Sequence, residues 1–264
     1  MTNETVKYHH DLDWIAKGKV SGLDPTNANI FFALLHKFKD KGTREIEIGA
    51  DELKALARWR GPRNLERYSK ALEKICDDVI STYIKARDGN SFRMLALFTT
   101  FDYSDSTRIL KAALSPEFSY ILNNLEDNFT KFQLQEFLTL KTKYGKNLFR
   151  LLKEYRPKDT DDPYYSPPWR EIPLERFKEF MGIPKSYRMT NITEYVIEPA
   201  IKDLNQWNLF PNIKWEYKRE PGTRGRGGGK VRAVRFDWQG SLFDLDGIEN
   251  IQASIPFLSD GAPE

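Results

Sequence analysis

The sequence predicts an α+β chain, mainly helical, in which one order of elements runs twice. Within residues 26–125 a helix, a short alternating stretch, two helices joined by a tight turn and a β-hairpin follow one another. The same order recurs within residues 126–240, and each half closes on two alternating segments flanking a glycine-containing loop. A chain of 264 residues with 40% hydrophobic and 30% charged residues has material for one or two ordinary cores.

Residues 1–25 show no periodicity and are expected to be irregular. A helix is expected from Thr26 or Asn27, carrying Ile30, Phe31, Leu34, Leu35 and Phe38 to a stop at Gly42. Glu45–Ile48 alternates as a strand does, and Asp51 is placed to cap a helix with Leu53, Leu56, Ala57 and Trp59. Gly61-Pro62 breaks that helix, and a third runs from about Asn64 to Val79. Strands near Ser81–Arg87 and Phe92–Phe98, turned at Asp88-Gly89-Asn90, complete a winged helix, a helix-turn-helix with a hairpin wing.

In the second half, Thr130 is placed to cap a long helix through Leu134, Phe137, Leu138, Tyr144, Leu148, Leu151, Leu152 and Tyr155. After a Pro-, Asp- and Tyr-rich loop, Pro173 opens a helix that Gly182 ends. Ile183–Arg188 makes the turn into a helix over about Thr190–Gln206, in which Pro199 is expected to cause a kink or a later start. Ile213, Trp215 and Tyr217 alternate, as do Val234, Phe236 and Trp238, around the loop Glu220–Gly229. The expected domains are 26–125 and 126–240, flanked by the segment 1–25 and a mobile acidic tail, 241–264. The halves share architecture without a residue-level repeat.

Charge is uneven although the net value is only +3. The densest basic segment, Lys214–Arg235, holds eight bases against Glu216 and Glu220, while residues 241–264 hold five acids and no base. Such a segment suits a polyanion such as double-stranded DNA; a solvated surface hairpin is the alternative. In a helix-turn-helix the start of the last helix meets base edges, which selects Lys185, Ser186, Arg188, Thr190, Asn191 and Thr193. The wing adds Arg219, Arg224, Arg226, Lys230 and Arg232 along the backbone or in the minor groove. In the first half, Arg60, Arg63, Asn64, Arg67 and Lys70, with Arg87 and Arg93 on its hairpin, form a weaker set; packing or dimerisation is the alternative role.

Several chemistries are disfavoured. One cysteine, Cys76, gives no disulfide framework or cysteine-rich zinc module, and it is expected to be an inert core thiol. His9, His10 and His36 do not form the His-hydrophobe-His metal site of a strand-nicking enzyme. Gly229-Lys230 lacks the remaining residues of a phosphate loop, since position 224 is Arg and 231 is Val. Asp77-Asp78 and Asp161-Asp162 are adjacent and suit capping or loop charge, so no enzyme activity, metal or cofactor is expected. No run of 18 apolar residues occurs and residues 1–13 are polar and acidic, so neither a membrane span nor a signal peptide is expected, and a cytoplasmic location is. Gln239-Gly240-Ser241-Leu242-Phe243 resembles the peptide by which bacterial proteins bind the polymerase sliding clamp. Gln239, Leu242 and Phe243 would make that contact; closing the second core is the alternative role for the two apolar residues.

Three stretches resemble a known family: Tyr144-Gly145-Lys146-Asn147-Leu148-Phe149-Arg150-Leu151-Leu152, Met181-Gly182-Ile183-Pro184-Lys185-Ser186-Tyr187, and Val196-Ile197-Glu198-Pro199-Ala200-Ile201-Lys202-Asp203-Leu204-Asn205. The chain is similar here to the iteron-binding plasmid replication initiators, the RepB family of Rep proteins. The resemblance implies monomers that bind directly repeated origin sequences through two winged helices and open adjacent AT-rich DNA. It implies recruitment of a host initiator ATPase and replicative helicase, and bacterial, plasmid-associated work without covalent chemistry. It also implies a homodimer, formed mainly through the first domain, that binds an operator and represses its own promoter. The chain departs from the family at Thr193, Glu194 and Tyr195, where a basic cluster is common. A transcriptional regulator is the alternative of another class, and a nicking or priming enzyme a third.

Overall fold

The computed structural model describes residues 4–10, 12, 19–39, 41, 44–81, 83–88, 90–123, 125, 129–154, 168–220 and 229–239. Strand β1 (Thr5–His9) is followed by a short helix α1 (Lys19–Gly22), so the N-terminal segment is not irregular as expected. Val6 and Tyr8 alternate into the core, but β1 finds its partner far along the chain in β7 (Phe129–Gln133), with Val6 opposite Phe132. Five residues carry too short a period to announce a strand whose pairing is that remote.

Helix α2 (Pro25–Phe38) starts one residue earlier than expected, because Asp24 accepts from the backbone N–H of Thr26 and Asn27. Strand β2 (Ile46–Gly49) leads directly into α3 (Ala50–Leu56), which Gly49 precedes as cap. Asp51 lies inside the first turn instead of capping it, and pairs with Arg108 at 2.9 Å. Helix α4 (Leu65–Ile80) begins at Asn64, whose Oδ1 accepts from the Arg67 N–H at 3.1 Å. Cys76 lies on its half-buried side, where burial and the neighbouring Asp77 and Glu73 push the thiol up to about 12.

The hairpin read from sequence as the first wing is present as β3 (Tyr83–Asp88) and β4 (Ser91–Ala96), but it forms a separate two-stranded sheet. A second hairpin, β5 (Phe98–Ser104) and β6 (Ile109–Leu114), occupies the wing position, since β6 pairs with β2 to give the order β2-β6-β5. Its turn, Asp105–Arg108, has no glycine; Arg108 itself takes the left-handed conformation at φ 57°. The expectation rested on a glycine-marked turn, and the wing does not have one.

Thr130 does not cap a long helix. It lies in β7, which runs into α5 (Leu134–Thr139); the chain then extends at Leu140 before α6 (Lys143–Lys153) begins. Thr142 is the cap of α6, its Oγ1 accepting from the Gly145 N–H at 2.9 Å. Strand β8 (Trp169–Pro173), α7 (Leu174–Met181), a turn, a long helix, β9 (Lys214–Arg219) and β10 (Val231–Asp237) complete the fold. Gly182 ends α7 in the left-handed conformation at φ 62°. The sheet order is β8-β10-β9, strand for strand the order of β2-β6-β5 in the first half. Both halves are thus winged helices, with β3–β4 inserted in the first.

The core is continuous between them. Phe32 of α2 meets Phe137 of α5 at 4.7 Å, Phe137 stacks on Phe132 of β7, and Phe132 meets Phe149 of α6 at 5.3 Å. Phe149 then reaches Phe210, and Phe210 reaches Trp238 just beyond β10. Polar groups on α6 are buried beside this ladder. Asn147 Nδ2 donates to the Ser21 and Met181 carbonyls, and Arg150 donates to Ser21 Oγ while lying between Phe32 and Phe180. Asp203 accepts from the Lys141 N–H, the Thr142 N–H and the Thr142 hydroxyl ahead of α6. Gly145 has no room for a Cβ beside the Asp203 carboxylate and Thr142 Oγ1.

Two stability outcomes follow. Gly145→Ala should destabilise the protein by about 1–3 kcal/mol in chemical denaturation, although alanine is the better helix former. Gly22→Ala, with open space around it, should stay within about 1 kcal/mol of wild type. Lys146 donates to the Phe137 carbonyl from a buried site that lowers its ammonium to about 7. Its unfolded form keeps the proton up to the ordinary lysine range, so above pH 7 the unfolded chain binds more protons and stability rises with pH. Below pH 7 both forms are charged and the slope vanishes. Between pH 7 and 8.5 the wild type should therefore gain stability relative to Lys146→Met, at up to about 1.4 kcal/mol per pH unit.

Candidate nucleic-acid interface

The second helix-turn-helix presents the best-defined surface. Its last helix runs from Met189 to Asn205 as α8 (Met189–Ile192), one π turn (Thr193–Ile197) and α9 (Glu198–Asn205). Proline at position 199 has no N–H to give the helical ladder, and the widened turn lies immediately before it, in place of a sharp kink or a delayed start. Ile192, Val196, Ile197, Ala200 and Leu204 are buried, so the opposite side faces out.

Lys185, Ser186, Arg188 and Thr190 are all exposed around the helix start. Asn191 is half-buried, and its Oδ1 accepts from the Arg188 N–H at 3.0 Å, leaving its amide N–H groups as donors. Thr193 is turned inward. Its hydroxyl donates to the Met189 carbonyl at 3.1 Å and lies 2.9 Å from the Tyr217 hydroxyl on β9. Burial pushes the Tyr217 phenol above its ordinary range, and Thr193 opposes part of that shift. This contact ties the helix to the wing. Alternation shows only that Tyr217 lies on the same face as Trp215, and nothing in the sequence singles out its hydroxyl.

Acidic partners match three of the cations on the wing strands. Lys218 pairs with Glu216, Arg232 with Glu171 at 2.9 Å, and Arg235 with Asp237 through two nitrogens while lying over Trp169. That ion pair holds the Asp237 carboxyl below its usual range. Arg219 donates to the Gly229 carbonyl at 3.0 Å, and the Glu220 N–H meets the Lys230 carbonyl, closing the neck of the loop. Lys230 is exposed there. Arg224 and Arg226 lie outside the described residues.

In the first half, Arg60, Arg63, Asn64, Arg67 and Lys70 are exposed together at the α3–α4 turn and the start of α4. Lys70 pairs with Glu66 one helical turn away. Arg87 and Arg93 lie on the inserted β3–β4 hairpin, apart from the wing sheet. Gln239 accepts from Asn212 and its N–H donates to the Pro211 carbonyl; Leu242 and Phe243 lie outside the described residues.

Two winged helices with one strand order, each presenting a turn and a following helix, define a tandem winged-helix protein. The comparisons with known proteins agree. Residues 5–153 match the family described as "Initiator Replication protein, WH1", and residues 173–238 match "Initiator Rep protein, WH2". The chain belongs to the initiator replication protein family. It is 26% identical over 212 residues to a probable replication protein of Bifidobacterium longum (strain NCC 2705), across 77% of this chain. It spans 65% of that relative's length. Its fold is similar to that of the Pi initiator protein, solved in complex with iteron DNA, with a TM-score of 0.64 and 15% identity over 90% of this chain and 98% of that one. Among the described residues, no helix is long and apolar enough to cross a membrane.

Tyr217→Phe removes the hydroxyl that joins helix and wing. It should cost about 0.5–1.5 kcal/mol in denaturant unfolding, without changing the fold by circular dichroism.

Proposed function

We propose that this chain is a replication initiator that binds directly repeated origin sequences in double-stranded DNA and promotes their opening. The observation that carries this reading is the pairing of two family-matched winged helices in one chain, the second with its helix start and basic wing held together by Thr193 and Tyr217. Lys185 and Arg188 contact the DNA at the start of the helix, and Arg219, Arg224, Arg226, Lys230 and Arg232 follow the phosphates along the wing. Of these, Arg232 shares its charge with Glu171 and contributes least.

Arg60, Arg63, Asn64 and Arg67 give a second, weaker contact, so that one chain spans two adjacent grooves. Origin opening then draws on bending energy stored between the two contacts. The protein acts by binding and recruitment in the bacterial cytoplasm, without covalent chemistry or a cofactor. A monomer engages the repeats, and a homodimer represses its own promoter. A host initiator ATPase, the replicative helicase and, through Gln239, Leu242 and Phe243, the sliding clamp are its protein partners.

Footprinting on the DNA that flanks its gene separates this reading from a transcriptional regulator. Protection of tandem direct repeats is expected; protection of a lone palindrome would assign it to regulation. Affinity for the repeats should fall about 10³–10⁵-fold between 50 and 200 mM salt if roughly six to ten phosphates are contacted. A flat salt response would remove the wing from the interface.

A further inference from the structure

The outward side of the recognition helix has an unusual charge order for a DNA-reading element. No lysine or arginine occurs from Met189 to Ile201. Thr190, Glu194, Tyr195 and Glu198 are exposed along this stretch. Tyr195 is 54% exposed and meets Tyr187 of the preceding turn edge-on, with ring centroids 6.2 Å apart. The cations stand at the two ends: Lys185 and Arg188 before the helix, Lys202 near its close, all exposed.

Phosphates line the walls of the major groove and bases form its floor. A carboxylate beside a phosphate is repelled, so a surface that tracked the backbone would not carry Glu194 at its middle. On the groove floor the same carboxylate has a use. It only accepts hydrogen bonds, so guanine O6 and N7 and thymine O4 exclude it. Adenine offers an amino group, but N7 next to it is an acceptor that repels the second carboxylate oxygen. Cytosine offers its N4 amino group with no acceptor alongside. Tyr195, one residue on and braced by Tyr187, supplies apolar ring surface for the neighbouring pyrimidine edge.

We propose that Glu194 reads a cytosine N4 amino group, with Tyr195 packed against the adjacent pyrimidine, and that this pair sets the sequence preference of the second winged helix. The proposal rests on the DNA-binding reading above. Affinity then comes from the wing and the helix start, and discrimination from an acidic-aromatic centre.

The test uses the full chain and a set of origin-repeat duplexes in which each base pair is replaced in turn, together with a random-sequence duplex. The wild type should show one cytosine whose replacement weakens binding roughly tenfold or more. Glu194→Ala should abolish that penalty while binding the random duplex more tightly, because a repulsive charge is gone. Glu194→Gln, which can pair with adenine N6 and N7, should move the preference at that position to adenine. Uracil in place of a neighbouring thymine should weaken the wild type and leave Tyr195→Ala unchanged. If Glu194→Ala strengthens binding to every duplex by one factor and leaves each base preference intact, Glu194 lies away from the bases and the proposal fails. A wild type that binds all duplexes equally overturns the DNA-reading function itself.

Discussion

Arg150 lies between the rings of Phe32 and Phe180, one from each winged helix, with a hydrogen bond to Ser21 Oγ and another to Asn147. Removing a guanidinium from water is costly unless donors and ring faces receive it, and here both do. Asn147 adds bonds to backbone carbonyls of α1 and of the C-terminal end of α7. Helix α6 is therefore the floor on which the N-terminal segment rests. The relative placement of the two helix-turn-helix elements depends on this polar seam, because an apolar contact alone tolerates sliding that directional hydrogen bonds do not.

Asp203 explains why two distant motifs occur in one chain. Its carboxylate gathers two backbone N–H groups and a hydroxyl ahead of α6, and Gly145 lies against it because a side chain would strike it. The Tyr144–Leu152 stretch and the Pro199–Asn205 stretch are thus two sides of a single contact. The same contact anchors the C-terminal half of the recognition helix to α6, so the exposed N-terminal half is held from behind while its Thr193 hydroxyl is held from the wing.

The duplicated order of elements was legible because helical spacing and strand alternation persist over whole segments, as in α4 and in the β9–β10 pair. The recognition helix was located to within a residue at each end. Three features were not legible. Strand β1 is too short to show its period, and its partner is remote. The break at Leu140 falls inside an apolar pattern that suits one helix or two. The first wing turns on Arg108 at positive φ, with no glycine to mark it, while Gly89 marked the inserted hairpin instead. At the helix start, Lys185, Ser186, Arg188 and Thr190 are exposed. Thr193 is instead turned toward Tyr217, a contact that no local pattern announces.

The two wings show how one topology divides the electrostatic work. Strand order is the same, but the first wing has a four-residue turn whose one cation, Arg108, is matched by Asp51. In the second, three cations of the strands, Lys218, Arg232 and Arg235, are matched by Glu216, Glu171 and Asp237. Pairing these three reduces the positive charge that β9 and β10 spread over their faces. Charge that is spread over a whole face binds in many orientations. Matching part of that charge with carboxylates narrows the orientations open to a polyanion.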